Sequence, residues 1–317
     1  MNPHSSSLFH FTKKKTTFKS ILTNGLRYSF AFEEFPDSIV NNIFCHGLFP
    51  FVSNDDENSG KGFAIPMISF CDIPLTRVHT HSKRYGKFAI GINKDYLCHI
   101  YEEFINPVLY VESTSVMDAV KYLSQAQGIS IKHLCSLVQS NEELNFDKLL
   151  ESVANHTLSI REALKDFPKE IRDIYEYTIE CRAAVTKLLS LIKPTYGNNV
   201  DNKKQSFYDE HEWRAIYPNI HGTPFEWQVG CYRSEFKSSR DFLNDELNGE
   251  EDAFVTIPGD WFNYISNIIV PKESDIHSIS NFIMNSERIL GYADIKDFQR
   301  IHLLSRITSF ERIENDY

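Results

Sequence analysis

Cysteines are few and scattered. The six, at Cys45, Cys71, Cys98, Cys135, Cys181 and Cys231, form no C-x-x-C pair. That spacing excludes a zinc knuckle and a thioredoxin-type redox site. Met1 to Ser7 are polar, without the apolar stretch of a secretory signal. No uninterrupted apolar run approaches the roughly 18 residues of a membrane span. Together these features predict a cytosolic protein with reduced thiols. Positive charge is also in deficit: 33 Lys and Arg face 43 Asp and Glu, a net charge of −10. Such a chain does not coat a phosphate backbone broadly, although a local basic cleft remains compatible with it. There is no internal repeat.

What the chain has in quantity is aromatic residues, 24 Phe and 15 Tyr among 317 residues. These bury large areas and readily supply a core. Leu8 to Thr12 reads as a strand. Phe18, Ile21, Leu22 and Leu26 then recur at helical spacing, with Thr16 or Thr17 as cap and Gly25 as C-cap. Residues 28–63 read as irregular and include a polar loop at 53–60. Strands follow at Ile65–Pro74, Phe88–Ile92 and Val108–Val111, with a basic turn, Arg77 to Arg84, after the first of them. From about Ser115 to Lys193 the pattern becomes helical. Its clearest stripe runs from Ile171 through Cys181 and Leu188 to Ile192 and stops at Pro194. Strands return at Glu212–Tyr217, Ala253–Ile257 and Ile268–Pro271. A helix over Ser274–Asn285 and a strand over Arg306–Ile313 close the chain. The order predicts an α+β sheet domain built from both ends, 1–114 and 196–317, interrupted by a helical insertion at 115–195.

Five places put polar or aromatic chemistry where a ligand could meet it. His10 alternates with Phe9 and Phe11, so it shares a strand face with Thr12. A lone strand His is ordinarily a core residue satisfied by a backbone carbonyl, but two polar side chains on one face suit a ligand. Ser69-Phe70 reads either as buried strand or as a hydroxyl beside a ring that walls a flat ligand. Tyr85 reads as packing or as a ligand contact. His79 and His81 have the spacing of a zinc pair on a strand but no third ligand, so no metal is assigned. In Tyr208-Asp209-Glu210-His211-Glu212-Trp213-Arg214, strand alternation puts Glu212 and Arg214 on one face and Trp213 on the other. The plain reading is a surface ion pair, worth about 0–1 kcal/mol. The alternative is a carboxylate perturbed by Glu210 and an Arg, as catalytic groups are.

Phe9-His10-Phe11-Thr12, a helix, and Asn24-Gly25-Leu26 resemble the opening of ADP-ribosyltransferases of the diphtheria-toxin, poly-ADP-ribose-polymerase and DarT types. Met67-Ile68-Ser69-Phe70 with His81 to Tyr85 resembles their second motif, and Glu212-Trp213-Arg214 their third. Over most of the chain the sequence resembles the AbiGi abortive-infection family of phage resistance. The residues that carry this are Pro66 to Leu75, Asn106 to Tyr110, Phe207 to Arg214 and Ile313 to Asp316.

The transferase resemblance implies a split, mixed or antiparallel sheet with NAD, as substrate, bound in its cleft. His10, Phe11 and Thr12 would hold the cofactor's ribose and carboxamide, and Ser69, Phe70 and Tyr85 would flank the nicotinamide. Glu212, or in its place Glu210, would stabilise the oxocarbenium-like ribose, with His10 as the other catalytic group. Arg27 or Arg214 would bind the pyrophosphate. The implied function is a phage-defence effector that transfers ADP-ribose to a macromolecule, an RNA or DNA base preferred and a protein possible as target, held in check by an antitoxin or other operon partner. Two alternatives stand beside it. One is a catalytically silent antitoxin or regulatory binding protein, since AbiGi members are also described as antitoxins. The other is an NAD hydrolase.

Overall fold

The computed structural model describes residues 5–35, 60–100, 105–111, 168–198, 204–217, 229–250, 253–255 and 261–316, with 118–119, 122–123 and 136. Most of the polar loop at 53–60 and of the helical block before 168 lies outside the described residues.

Strand β1 (Ser7–Thr12) is followed by helix α1 (Lys15–Asn24), which buries Phe18, Ile21 and Leu22. The helix starts at Lys14 without a side-chain cap, not at Thr16 or Thr17. It stops at Gly25, whose φ of 93° falls where only glycine is unstrained. Leu26 is no longer helical but opens the short strand β2 (Leu26–Arg27). Residues expected to be irregular form β3 (Ser29–Glu34), paired antiparallel with the long β4 (Lys61–Cys71). The basic run expected as a turn is a helix, α2 (Val78–Tyr85), entered through a 3-10 turn at Leu75–Arg77. Then come β5 (Phe88–Asn93), α3 (Lys94–Ile100), β6 (Ile105–Pro107) and β7 (Leu109–Val111).

The long amphipathic helix is present as α4 (Lys169–Leu191). It leads into β8 (Ile192–Pro194), β9 (Tyr196–Asn198), β10 (Lys204–Ser206) and β11 (Glu212–Ile216). Next are β12 (Val229–Tyr232), α5 (Arg233–Asn248) and β13 (Phe254–Val255). The last elements are β14 (Ile265–Val270), α6 (Glu273–Asn285), α7 (Asp297–Leu304), β15 (Ile307–Ser309) and α8 (Phe310–Asp316). The expected C-terminal strand is therefore half helix. Ile307 lies in the strand, whereas Phe310 and Ile313 recur at three and bury a helical face.

The fold is α+β around a mixed sheet of order β15-β14-β5-β1-β4-β11-β6, in which β3 and β12 also pair with β4. Among the described strands only β14 and β15 run parallel within it. β4 organises the sheet because its 11 residues outrun any single partner. On one edge β11 takes Met67–Cys71 and β12 takes Lys61–Ala64. On the other edge β3 ends opposite Met67, and β1 touches only at Phe9 opposite Cys71. β1 and β3 thus part company over Ile68–Phe70, leaving backbone groups there to find other partners.

Side chains alternate across this sheet. Leu8, Ile68, Phe70, Ile90 and Ile92 lie on one face in the main core with Phe18, Leu22, Phe236, Ile279 and Ile283 from the helices. The opposite face is apolar at both ends. Phe9, Phe11, Cys71 and Ala89 pack with Val78 and Phe310 at one end, and Phe63, Ile65 and Met67 with Leu189 and Ile192 at the other. Between these two clusters the same face carries Ser69, Glu212 and Arg214.

Candidate functional site

Register brings the polar residues together. Glu212 pairs with Cys71, and Arg214 with Ser69, across β11 and β4. Their side chains therefore rise from the same face, under the C-terminal end of α4 and β8. Glu33 joins them from β3 and Lys193 from β8. Arg214 is fully buried, at 0 % exposure. Its guanidinium donates to Glu212 Oε1 through Nε at 2.9 Å, to Glu33 Oε1 at 2.8 Å and to the Ser190 carbonyl at 2.7 Å.

Glu212 is held from every side. Oε1 accepts from Ser69 Oγ at 2.8 Å and Arg214 Nε, and Oε2 accepts from Lys193 Nζ at 2.9 Å and Arg214 at 3.2 Å. A carboxylate offers about four lone-pair positions, and here all are taken. Burial alone would raise this carboxyl, but Arg214 and Lys193 override it and hold Glu212 well below the usual carboxylate range. Burial likewise works against the charge on Lys193, and Glu212, Glu33 and Glu210 reverse it and push the ammonium well above its ordinary value. The plain surface ion pair is thus not what forms; the pair is buried and part of a larger network.

Lys193 also reaches Glu210 Oε2 at 2.8 Å. Glu210 sits in a 3-10 turn (Tyr208–Glu210) before β11 and is buried. Its other oxygen accepts from Tyr85 Oη at 2.6 Å and Arg84 at 3.3 Å. Burial and then Glu210 push the Tyr85 phenol far up, so it stays a donor. His81 Nε2 donates to the Glu210 carbonyl at 3.2 Å. Three carboxylates, Glu33, Glu210 and Glu212, are thus matched by three cations, Lys193, Arg214 and Arg84.

His10 lies on the other face. It pairs with Ile90 and its ring sits edge-on to Phe70 at 6.0 Å. Nδ1 donates to the Ser69 carbonyl at 2.9 Å, in the stretch where β1 and β3 leave the β4 edge open. Burial lowers the imidazole below its ordinary 6.5, the bond to Ser69 only partly offsetting this. A neutral ring with its proton on Nδ1 keeps a lone pair on Nε2. His10 and Glu212 do not line one hollow: they occupy opposite faces, joined by Ser69, whose carbonyl meets the histidine and whose hydroxyl meets the glutamate.

The remaining candidates disperse. Phe70 is buried in the main core, and Phe11 in the opposite one with its ring 6.3 Å from His81. Thr12 is half-buried at the end of β1 and pairs with Phe88. Arg27 is exposed on a separate two-stranded ribbon, β2 with β13. Tyr85 ends α2 instead of edging a strand and stacks at 5.9 Å on His81. The side chain of His79 lies outside the described residues. Among the described residues no group of three His, Cys, Asp or Glu is placed to hold a metal, and no helix is long and apolar enough to cross a membrane.

Sequence reasoning missed Glu33, Lys193 and Asp72. Lys193 had a signal, a lone charge between Ile192 and Pro194 at the end of an apolar stripe. Asp72 is buried within the run read as strand; it accepts from the Ser5 amide at 2.8 Å and from Lys94 at 2.7 Å.

A family model described as "Putative abortive phage resistance protein AbiGi, antitoxin" matches residues 53–248. The chain belongs to the AbiGi family of abortive phage resistance. The "Abortive phage resistance protein AbiGi" of Lactococcus lactis subsp. cremoris is 30 % identical over 266 residues, covering 81 % of this chain and 90 % of that protein. No solved structure matches. The family match spans the network's β4, α2, β8 and β11 residues but not Glu33, His10 or the strands after α5.

Proposed function

We propose that this AbiGi chain works as the neutralising, antitoxin-type member of a phage-defence pair, acting by binding and not by turnover. The observation that carries this reading is the saturation of Glu212. A general base or ribose-stabilising carboxylate needs a free oxygen facing its substrate, and this one spends all four acceptor positions on Ser69, Arg214 and Lys193. The family's description as an antitoxin supports the same reading. The partner is the toxin of the pair, and α4 (Lys169–Leu191) is the contact we favour.

A second reading is an NAD-dependent ADP-ribosyltransferase acting on a macromolecule such as a nucleic-acid base, or on water as an NAD hydrolase. It is favoured by one feature: His10, Ser69 and Glu212, three residues remote in sequence, are chained by hydrogen bonds of 2.9 and 2.8 Å. For catalysis Lys193 would have to leave Glu212. One experiment separates the readings. Expressed alone in bacteria, the chain is expected to leave growth unchanged, and the purified protein to release no label from radiolabelled NAD. Co-expressed with a toxin of its own defence system, it restores growth. Growth arrest by the chain alone, abolished by Glu212→Gln, overturns the antitoxin reading in favour of the transferase. Labelled free ADP-ribose would point to the hydrolase.

A further inference from the structure

At the outer end of the ion network, sharing Arg84 and Glu210 with it but away from Glu212, is an open pocket of about 240 Å³. Its lining includes Arg77, His81, Arg84, Asp209, Glu210 and His211. We infer that this pocket takes the phosphate end of a nucleoside monophosphate unit, whose base lies against the exposed ring of Tyr208 at its mouth.

Three features converge on that chemistry. First, two guanidiniums face the pocket with most of their donors unspent. Arg77 is exposed and makes no ion pair among the described residues, and Arg84 gives Glu210 a single long contact of 3.3 Å. Guanidinium donors match phosphate oxygens in two-point geometry. Second, aromatic surface adjoins them. The His211 ring lies 5.9 Å from Tyr208, which in turn meets Tyr110 edge-on at 5.7 Å. Tyr208 is 57 % exposed, so a ring face is open to a base. Aromatic rings next to a cationic hollow are how single nucleotides and single strands are held without sequence reading. Third, His211 has φ 44° and ψ 48°, a left-handed conformation in a non-glycine residue. Such backbone is concentrated at ligand sites, and here it turns the chain between the Tyr208 turn and β11.

Size and charge narrow the ligand further. The pocket is smaller than the roughly 300–1,000 Å³ of sites that engulf whole drug-sized ligands, so it houses one end of the ligand only. Asp209 also lines it, as does Glu210, the latter already held by Tyr85, Lys193 and Arg84; the acidic lining disfavours a bare inorganic anion and suits a ligand carrying hydroxyl or amino donors beside its phosphate. The net charge of −10 opposes a long polyanion lying across the surface. A free nucleotide and the terminal nucleotide of a short single-stranded RNA share this chemistry.

The full-length chain would be titrated calorimetrically with 5′-mononucleotides, with inorganic phosphate and with a 5′-phosphorylated hexaribonucleotide. Saturable mononucleotide binding is expected, with inorganic phosphate weaker. Arg77→Ala and Tyr208→Ala should each raise Kd on the order of tenfold, the scale of one lost stacking or phosphate contact. Both residues are exposed, so the variants fold, and Lys83→Ala serves as a basic control that should leave Kd unchanged. An oligomer that binds more tightly with the same sensitivity supports an RNA end as the source, and equal affinities support the free nucleotide. Inorganic phosphate binding as well as nucleotide with Tyr208→Ala silent overturns the inference, as does no saturable binding of any of the three. The result is independent of the neutralisation test, because it is read on the isolated chain with neither toxin nor NAD.

Discussion

Arg214 is the largest fully buried side chain among the described residues. Its guanidinium is fully buried and compensates Glu212 and Glu33 at once. Removing one partner of a buried pair leaves uncompensated charge, at about 3–5 kcal/mol. Arg214→Met is therefore expected to lower unfolding stability in urea by about that amount. The double variant Glu212→Gln/Arg214→Met should lose less than the sum of the single changes, since each removes part of what the other leaves stranded. Losses below about 1 kcal/mol for Arg214→Met would mean that water, not Arg214, solvates these carboxylates. The histidines make a second prediction. Burial lowers both His10 and His81 below their ordinary 6.5. As pH falls through 6.5, the unfolded chain takes up protons that the folded chain refuses, so unfolding is favoured. Stability is fully present above that value and declines between it and the lowered folded values. Glu212, also depressed, contributes its own loss only once pH falls through the ordinary carboxylate value of 4.5 and on below it. Urea midpoints should accordingly fall from pH 7.5 to pH 5, and by less in His81→Gln. A flat profile in the wild type would contradict the burial of both rings.

At the scale of elements, the open stretch of the β4 edge decides how the network is built. β3 and β1 each leave it before Ile68–Phe70 is covered, and the His10 ring fills the gap at the Ser69 carbonyl. The strand–helix pair β1–α1 was legible because one period changes to another at Lys13, and α4 was legible from its apolar stripe. β3 was not, although Phe30 and Phe32 alternate, because Glu33 and Glu34 follow and mask the strand. Glu33 faces the network, so the polar residue that hid the strand is also a member of the site. The helix α2 was hidden by basic residues, since its inward positions are Val78, His81 and Ser82 and not an apolar stripe. Opposition of Glu212 and Trp213 across β11 followed directly from alternation, whereas Lys193 could not be paired with Glu212 without knowing where α4 ends. The turn closing α2 offers an element-scale test. Gly86 has φ 114°, and a Cβ there would stand 2.2 Å from the Thr12 carbonyl oxygen. Gly86→Ala combines strained backbone with a clash that no flexible side chain can relieve, and is expected to cost about 1–3 kcal/mol or more. The loss should show in thermal or urea unfolding, and should displace Tyr85 from Glu210. An unchanged midpoint would refute the close approach.

At the scale of the whole molecule, the matched family region and the folding unit are not the same. The family model spans residues 53–248, yet the sheet's order places β1 between β4 and β5, and β14 beyond β5. A fragment of that span keeps β4 with β11 and keeps β5, but has nothing to join them. β5 pairs with β1 along Phe88–Asn93 and with β14 from Ala89 to Ile92. Ala89, Ile90 and Ile92, each fully buried in the full chain, would lose both neighbours, and a strand with two bare edges and apolar faces aggregates. Glu33 would be gone too, leaving Arg214 with one carboxylate fewer. The 53–248 fragment is therefore expected to be insoluble or to unfold without a cooperative transition, whereas the full chain unfolds in one. Adding residues 1–52 alone should not suffice, because the β14 edge of β5 stays open; adding 249–317 as well should. A soluble 53–248 fragment with a sharp urea transition would show that β1 and β14 dress an independent unit, and that the network at Glu212 stands without the strand that carries His10.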